Sequence, residues 1–188
     1  MTPFIRIFLA LPLSAESHEF IEGIENHLKK SACPVTWVKP KNAHLTLKFL
    51  GDTSRDQIPV IVKTLQEVLQ NTRAIPLEWT TLGTFPEKIH PRIVWVGLKE
   101  DAGLTQLALS IEEAFEKIGF PKETRAFSPH VTLGRIKSDK NLSKLIETIS
   151  SYSLKQPAAE EMNHVILYKS TLTSSGPIYE IIEKIALQ

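Results

Sequence analysis

His44-Leu-Thr-Leu-Lys-Phe-Leu50 alternates polar and apolar residues over its first four positions and is followed by Gly51. Alternation with a period of two predicts a β-strand that buries one face. His44 and Thr46 therefore share one face, and the two leucines between and after them point into the core. The same count puts Lys48 on the histidine face, where we assign it no role, and gives Phe49 core parity.

The pattern His-x-Thr-hydrophobic occurs a second time, as His130-Val-Thr-Leu133. His44 lies 40 residues after Phe4, which opens one predicted strand, and His130 lies 37 residues after Ile93, which opens another. Strands and helices follow each other in a similar order around both copies. This repetition indicates a duplication, and we expect one bilobed domain over 1–188 with approximate halves 1–88 and 89–188.

Hydrophobic periodicity predicts the other elements. We expect strands at 4–11, 36–38, 75–82, 92–98, 130–136, 165–172 and 178–187, and helices at 15–30, 102–118, 141–150 and from Ser54 onward. The segment 83–91, with two prolines and one glycine, is the expected connection between the halves. Neither half has a glycine-rich nucleotide loop, so we predict an α+β fold: two antiparallel-rich sheets that face a cleft, with helices outside.

The bulk properties exclude several classes of protein. Hydrophobic residues make up 42% and charged residues 23% of the 188, which is typical of a globular protein and not of a disordered or fibrous one. A net charge of +1 gives no global attraction for nucleic acid. The apolar run 4–13 contains Arg6 and is too short to span a membrane. Cys33 is the only cysteine, which suits a reducing compartment. We expect a cytoplasmic monomer without a membrane anchor or an obligate protein partner.

The two tetrapeptides indicate a phosphate site. If they converge, two imidazoles and two hydroxyls meet in one small volume. A neutral histidine can accept a proton from water while a protonated one donates to a leaving oxygen. The hydroxyls of Thr46 and Thr132 can donate to phosphate oxygens. This chemistry needs no metal and no cofactor. We expect the remaining histidines to be structural or solvated, and the three tryptophans to lie in the core.

Arg135 has the chemistry for a bidentate phosphate contact but the wrong parity. Counted from His130, it should point away from the site. Gly134 could turn Arg135 toward the site, because a β-bulge or strong twist at a glycine changes the direction of the side chains that follow it. We therefore predict that Arg135 binds phosphate if such a bulge is present.

The sequence as a whole resembles the two-histidine phosphoesterase superfamily, and within it the RNA 2′,3′-cyclic phosphodiesterases formerly called 2′-5′ RNA ligases. Six segments carry the resemblance: Trp37-Val-Lys-Pro40, His44-Leu-Thr-Leu-Lys-Phe-Leu-Gly51, Pro91-Arg-Ile-Val-Trp95, Phe127-Ser-Pro-His-Val-Thr-Leu-Gly-Arg135, Leu167-Tyr-Lys-Ser170 and Gly176-Pro-Ile-Tyr179. The resemblance implies a bilobed α+β enzyme that opens a terminal cyclic phosphate to a 2′-phosphate. It also implies reversible 2′-5′ RNA ligase activity, with RNA ends such as tRNA halves as substrates.

By the same resemblance His44 is the proton donor, His130 is the proton acceptor, and Thr46, Thr132 and Arg135 bind the phosphate. The residues themselves do not rank the two histidines as acid and base. Two other functions stay open: a related phosphodiesterase for cyclic nucleotides or ADP-ribose cyclic phosphate, and a non-catalytic module that binds RNA ends. A metal enzyme is disfavoured because no Asp, Glu or Cys accompanies the two histidines on their strands.

Overall fold

The computed structural model describes residues 3–87, 90–157, 159–174 and 176–188. Its strands are β1 (Phe4–Pro12), β2 (Val35–Trp37), β3 (His44–Ser54), β4 (Ile75–Leu77), β5 (Trp79–Phe85), β6 (Ile93–Leu98), β7 (His130–Ile136), β8 (Glu160–Met162), β9 (His164–Thr173) and β10 (Gly176–Ala186). Its α-helices are α1 (Ala15–Leu28), α2 (Ile58–Leu69), α3 (Ala102–Lys117) and α4 (Leu142–Ser151). The α+β prediction is confirmed.

The main sheet is one antiparallel structure with the strand order β10-β9-β1-β3-β7-β6-β5, and β2 pairs with the later part of β7, from Gly134 to Ile136. Strands β4 and β8 form a separate two-stranded sheet. The two antiparallel groups of strands that we expected to face a cleft are joined at one point, where Leu45 of β3 pairs with Val131 of β7. This is the single pair that the ladder between β3 and β7 contains.

The two parts of the sheet do not coincide with the two halves of the sequence. Strands β9 and β10 come from the second half but pair onto β1, whereas β2 and β5 come from the first half and pair with β7 and β6. The chain has thus exchanged strands between its halves. The predicted connection 83–91 begins inside β5 and includes residues 88–89, which lie outside the described ones.

Leucine and isoleucine side chains from the helices cover one face of the sheet. Helix α1 starts at Ser14, whose hydroxyl accepts a hydrogen bond from the backbone amide of Ser17, and it buries Ile21, Ile24 and Leu28. The same core cluster contains Leu45 and Leu47 of β3, Val131 and Leu133 of β7, and Leu65 and Ile111 of the helices. Because side chains alternate along a strand, His44, Thr46, His130 and Thr132 must point to the opposite face. We call this opposite face the cleft face.

Both motif strands contain a β-bulge directly after the Thr. Leu9 of β1 pairs with Lys48 and Ala10 pairs with Thr46, so Leu47 is the extra residue in β3. In β7, Gly134 and Thr132 pair with consecutive residues of β6, so Leu133 is the extra residue there. A bulge of one residue reverses the alternation beyond it. The residues after each bulge therefore point to the face opposite to the one that a simple count predicts.

Several predicted boundaries change. The helix expected from Ser54 begins at Ile58, after a 3-10 turn over Arg55–Gln57. The strand expected at 75–82 is two strands in different sheets, and β8 was not predicted at all. Within the described parts of the chain, every helix falls short of the length and apolar character that a membrane crossing requires.

Candidate active site

The two His-x-Thr pairs meet where β3 joins β7. Antiparallel pairing of Leu45 with Val131 places His44 beside Thr132, and Thr46 beside His130, on the two neighbouring strands. Backbones of paired strands lie about 4.8 Å apart. The four polar side chains therefore surround one small area of the cleft face. The predicted convergence of the two motifs thus agrees with the observed strand register.

Both imidazoles are oriented by the same backbone contact. The Nδ1 atom of His44 lies 2.7 Å from the carbonyl oxygen of Asn42, and the Nδ1 atom of His130 lies 2.7 Å from the carbonyl oxygen of Ser128. A carbonyl only accepts, so each Nδ1 carries the hydrogen and donates it. The Nε2 atom of each ring can then accept or donate a proton at the cleft. Acid-base histidines use this arrangement, in which one ring nitrogen is held by a hydrogen bond and the other reacts.

Aromatic rings surround His44. Its ring centroid lies 4.9 Å from that of Phe8, 5.4 Å from that of Tyr179 and 6.2 Å from that of Tyr168. This burial lowers the pKa of His44, and the hydrogen bond to Asn42 offsets only part of the effect. In the free protein the neutral form of His44 is therefore favoured.

His130 has its own aromatic neighbours on the other part of the sheet. Phe85 lies edge-on to it at 5.1 Å between centroids, and Trp95 lies at 6.3 Å. Trp95 was expected in the core, but it pairs with Thr132 and so lies on the cleft face. Its indole lies over Gly83, where a Cβ atom would meet the ring at 2.3 Å. Glycine at this position allows the ring to lie flat against β5.

Arg135 reaches the cleft face through the bulge at Leu133. Arg135 is exposed. The bulge at Leu133 reverses the alternation of side chains from Gly134 onward, so that Arg135 points to the cleft face. A Cβ atom on Gly134 would lie 2.6 Å from Val35 of β2, so only glycine lets β2 pack this closely over the bulge. The condition set for Arg135 is met, and its guanidinium shares the face of His130 and Thr132.

Lys48 and Phe49 both differ from the prediction, and the bulge in β3 is the reason. Lys48 is 2% exposed and lies on the core side, where its Nζ atom is 2.5 Å from Glu112 Oε2 and 2.8 Å from the carbonyl oxygen of Pro121. Phe49 is 62% exposed on the cleft face. Counting by two placed the lysine on the histidine face and the phenylalanine in the core, and both placements are wrong.

Sequence reasoning missed several residues of the cleft. Tyr168 and Tyr179 stand in two of the segments that carry the family resemblance, but no role was assigned to them. Burial raises the pKa of Tyr179, and the positive charges of Arg135 and Arg6 act against this shift. Both guanidiniums therefore act electrostatically on the tyrosine hydroxyl. The side-chain amide of Asn42 donates to the carbonyl oxygen of Pro177 at 3.0 Å, which holds the β9–β10 hairpin against the start of β3.

The other histidines make local contacts. His27 packs edge-on against Tyr152 at 4.9 Å, and His90 contacts Asp139 at 3.2 Å. His18 lies 3.3 Å from the carbonyl oxygen of Ala43, and His164 contacts Asn163. Among the residues that the structure describes, no three His, Cys, Asp or Glu side chains form a group that could hold a metal ion.

Comparison with known proteins decides the family. Residues 12–172 match the family model of the 2′-5′ RNA ligase superfamily. The chain belongs to this superfamily. Relatives within it include the RNA 2′,3′-cyclic phosphodiesterase of Aquifex aeolicus, 36% identical over 185 residues that make up 97% of each chain. The enzyme of the same name from Methanocaldococcus jannaschii is 33% identical over 183 residues, 96% of this chain and 99% of that protein.

Solved structures of similar proteins share the fold. The crystal structure of a Thermus thermophilus protein superposes with a TM-score of 0.81 at 22% identity, covering 97% of this chain and 98% of the other. Escherichia coli LigT, crystallised with 3′-AMP, superposes with a TM-score of 0.75 at 23% identity, covering 98% and 99%. The overall architecture of this chain is therefore one that solved structures already contain.

Proposed function

We propose that this chain hydrolyses the 2′,3′-cyclic phosphate at the end of an RNA to a 2′-phosphate. The observation that carries the proposal is the pair of His-x-Thr motifs on one face around Leu45 and Val131, each with its histidine Nδ1 atom held by a backbone carbonyl. The name shared by the relatives from Aquifex aeolicus and Methanocaldococcus jannaschii, RNA 2′,3′-cyclic phosphodiesterase, supports the substrate.

The five site residues have complementary roles in this reaction. Thr46 and Thr132 donate hydrogen bonds to the non-bridging oxygens of the cyclic phosphate, and Arg135 binds the same group with its guanidinium. These contacts neutralise the charge that grows on the phosphate as water attacks. The side chains of both motif strands supply them from one face, so the phosphate is held between the two histidines.

The histidines move one proton each. His130 Nε2 takes a proton from the attacking water while the new P–O bond forms, and His44 Nε2 gives a proton to the ribose 3′ oxygen as the P–O3′ bond breaks. The products are a 2′-phosphate and a free 3′-hydroxyl. A 5′-hydroxyl of a second RNA in place of water gives a 2′-5′ linkage, which is how the same groups support ligation of RNA ends such as tRNA halves.

The assignment of His44 as the donor has a physical requirement. Burial lowers its pKa in the free protein, so the neutral form is favoured there. A phosphate bound beside the imidazole favours the charged form through Coulomb attraction. His44 therefore acts as a donor only if substrate binding and protonation are coupled.

A single assay tests class, metal dependence and regiochemistry. The protein is incubated with an RNA that ends in a 2′,3′-cyclic phosphate, in the presence of a chelator, and the product is identified. We expect a 2′-phosphate. His44→Ala and His130→Ala should each lower turnover by about 10²- to 10⁴-fold. His27→Ala, which removes a histidine that packs on Tyr152, is the matched control and should keep full activity. A 3′-phosphate product, chelator inhibition or an active histidine variant would each contradict the proposal.

A substrate with a good leaving group separates the two histidine roles. A p-nitrophenyl nucleoside phosphodiester releases a stable anion and gains little from a general acid. His44→Ala should therefore lose much less activity on this substrate than on the cyclic phosphate. His130→Ala should lose activity on both, because water must still be deprotonated. The opposite result would exchange the two roles.

A further inference from the structure

Phe49 presents an aromatic ring to the cleft. It is 62% exposed, and its ring centroid lies 6.0 Å from that of Phe8 beneath it. It occupies the position in β3 that Arg135 occupies in β7, because both residues follow an equivalent bulge by two positions. One motif strand therefore ends in an aromatic side chain and the other in a cation, on the same face.

Packing explains only part of the Phe49 side chain. Its ring contacts Phe8, the paired residue of β1, which is only 3% exposed, but 62% of Phe49 itself stays exposed. An exposed apolar residue on its own is ordinary in a folded protein. Phe49 differs because its ring contacts that of Phe8, which in turn contacts the ring of His44 on the cleft face.

The surroundings of Phe49 also carry positive charge. Arg6 and Phe8 are two residues apart on β1 and share the cleft face, and Arg6 is exposed opposite Asp52. The charge of Arg6 acts on Tyr179 together with that of Arg135. An exposed aromatic ring on a face that also carries arginine side chains is the combination that binds single-stranded nucleic acid, with bases stacked on the ring.

We propose that Phe49 stacks on the base of the nucleotide immediately 5′ of the cyclic end, so that the enzyme selects an oligonucleotide over a free nucleoside cyclic phosphate. This inference rests on the proposed function. The terminal nucleoside, with its phosphate between the histidines, lies against the rings beside them. Phe49 is one ring further from His44, with Phe8 in between. The next base along the chain is the group that reaches it.

The test compares two substrates that share the same cyclic end. One is a mononucleoside 2′,3′-cyclic phosphate, and the other is a dinucleotide that carries one further nucleotide on its 5′ side. Phe49→Ala should lower kcat/KM for the dinucleotide by about tenfold, which is within the range for one stacked base. It should change kcat/KM for the mononucleotide by less than about twofold. Phe49→Trp should keep the preference for the dinucleotide.

A dinucleotide without the upstream base isolates the contact. Wild-type protein should lose the same factor on this abasic substrate that Phe49→Ala loses on the intact one, and Phe49→Ala should lose nothing more. The matched control is Leu109→Ala, which removes an apolar side chain 51% exposed on α3 and should leave the preference unchanged.

The other outcomes overturn the inference in distinguishable ways. Equal losses on both substrates would place Phe49 at the terminal nucleotide. No loss on the dinucleotide, or no preference for it in the wild type, would remove the subsite while the proposed phosphodiesterase stands. A wild-type protein that opens neither substrate would overturn the proposed function and this inference with it.

Discussion

Replacing Lys48 by methionine should destabilise the protein without changing its charged surface. Lys48 is 2% exposed, and its ammonium group bonds Glu112 at 2.5 Å and the carbonyl oxygen of Pro121 at 2.8 Å. The same Glu112 oxygen accepts a hydrogen bond from the backbone amide of Glu123 at 3.1 Å. Lys48→Met keeps the length of the side chain but leaves the carboxylate and the carbonyl without their cation.

The expected cost is about 3 kcal/mol, at the lower end of the range for removing one partner of a buried ion pair. The lower end applies because the Glu112 side chain is 16% exposed and so keeps part of its hydration. A domain is typically stable by about 5–15 kcal/mol, so the variant should still fold. Lys48→Met combined with Glu112→Gln should recover at least about 1 kcal/mol, because the amide needs no counter-charge.

Urea unfolding at neutral pH measures these free energies of unfolding. The four proteins of the double-mutant cycle are compared with one common slope of free energy against urea concentration. Lys63→Met is the matched control. Its ion pair with Glu67 spans 3.9 Å between two exposed side chains, and its loss should change stability by less than about 0.5 kcal/mol. If Lys48→Met costs no more than this control, or if its effect and that of Glu112→Gln simply add, the buried pair does not stabilise the fold.

For three further substitutions the structure determines the direction of the expected effect. Burial raises the pKa of Glu25 to about 7 from 4.5, so its protonated form stabilises the fold below pH 4.5 and this contribution is lost as pH rises through 7. At pH 8, Glu25→Gln should stabilise the protein by up to about 3 kcal/mol in urea unfolding, while Glu19→Gln, at an exposed position of the same helix, should not. Gly134→Ala should destabilise the fold, measured as a lower Tm, because the new Cβ meets β2 at 2.6 Å; an unchanged Tm would contradict the tight packing. Tyr179→Ala should admit water to His44 and raise its lowered pKa, so the alkaline limb of kcat/KM against pH should move upward if His44 is the donor, and the acidic limb if it is the acceptor.

Alternation in the sequence predicted the faces of His44, Thr46, His130 and Thr132, because these residues precede the bulges. It failed at Lys48, where counting assumes that every residue has one partner on the next strand. Gly134 indicated a possible bulge in β7, whereas Lys48, at the equivalent position of β3, did not indicate one. A bulge depends on pairing with β1 and β6, which are distant in sequence, and a local pattern does not contain that information.

Strand exchange between the halves was hidden for the same reason. The repeated order of elements predicted a duplication, but which strands pair is decided by contacts between distant segments. The three residues of β8, Glu160-Glu-Met162, have no alternation that would identify a strand. Tyr168 and Tyr179 reach His44 only because β9 and β10 return to β1 and the hairpin is held to Asn42. The two tetrapeptides were enough to predict which residues form the proposed site, whereas the side chains that surround them depend on the topology.

The two copies of the motif differ in a way that gives the site a direction. Up to the bulge they are equivalent, with a histidine and a threonine on one face of each strand. Beyond the bulge, β3 has Lys48 and Phe49 where β7 has Gly134 and Arg135. A symmetrical pair of motifs would bind a phosphodiester equally well in either orientation. An aromatic ring on one strand and a guanidinium on the other break that symmetry, because we propose that a base stacks on the first and that a phosphate binds the second. This difference, together with the different aromatic neighbours of His44 and His130, makes the two sides of the site chemically distinct.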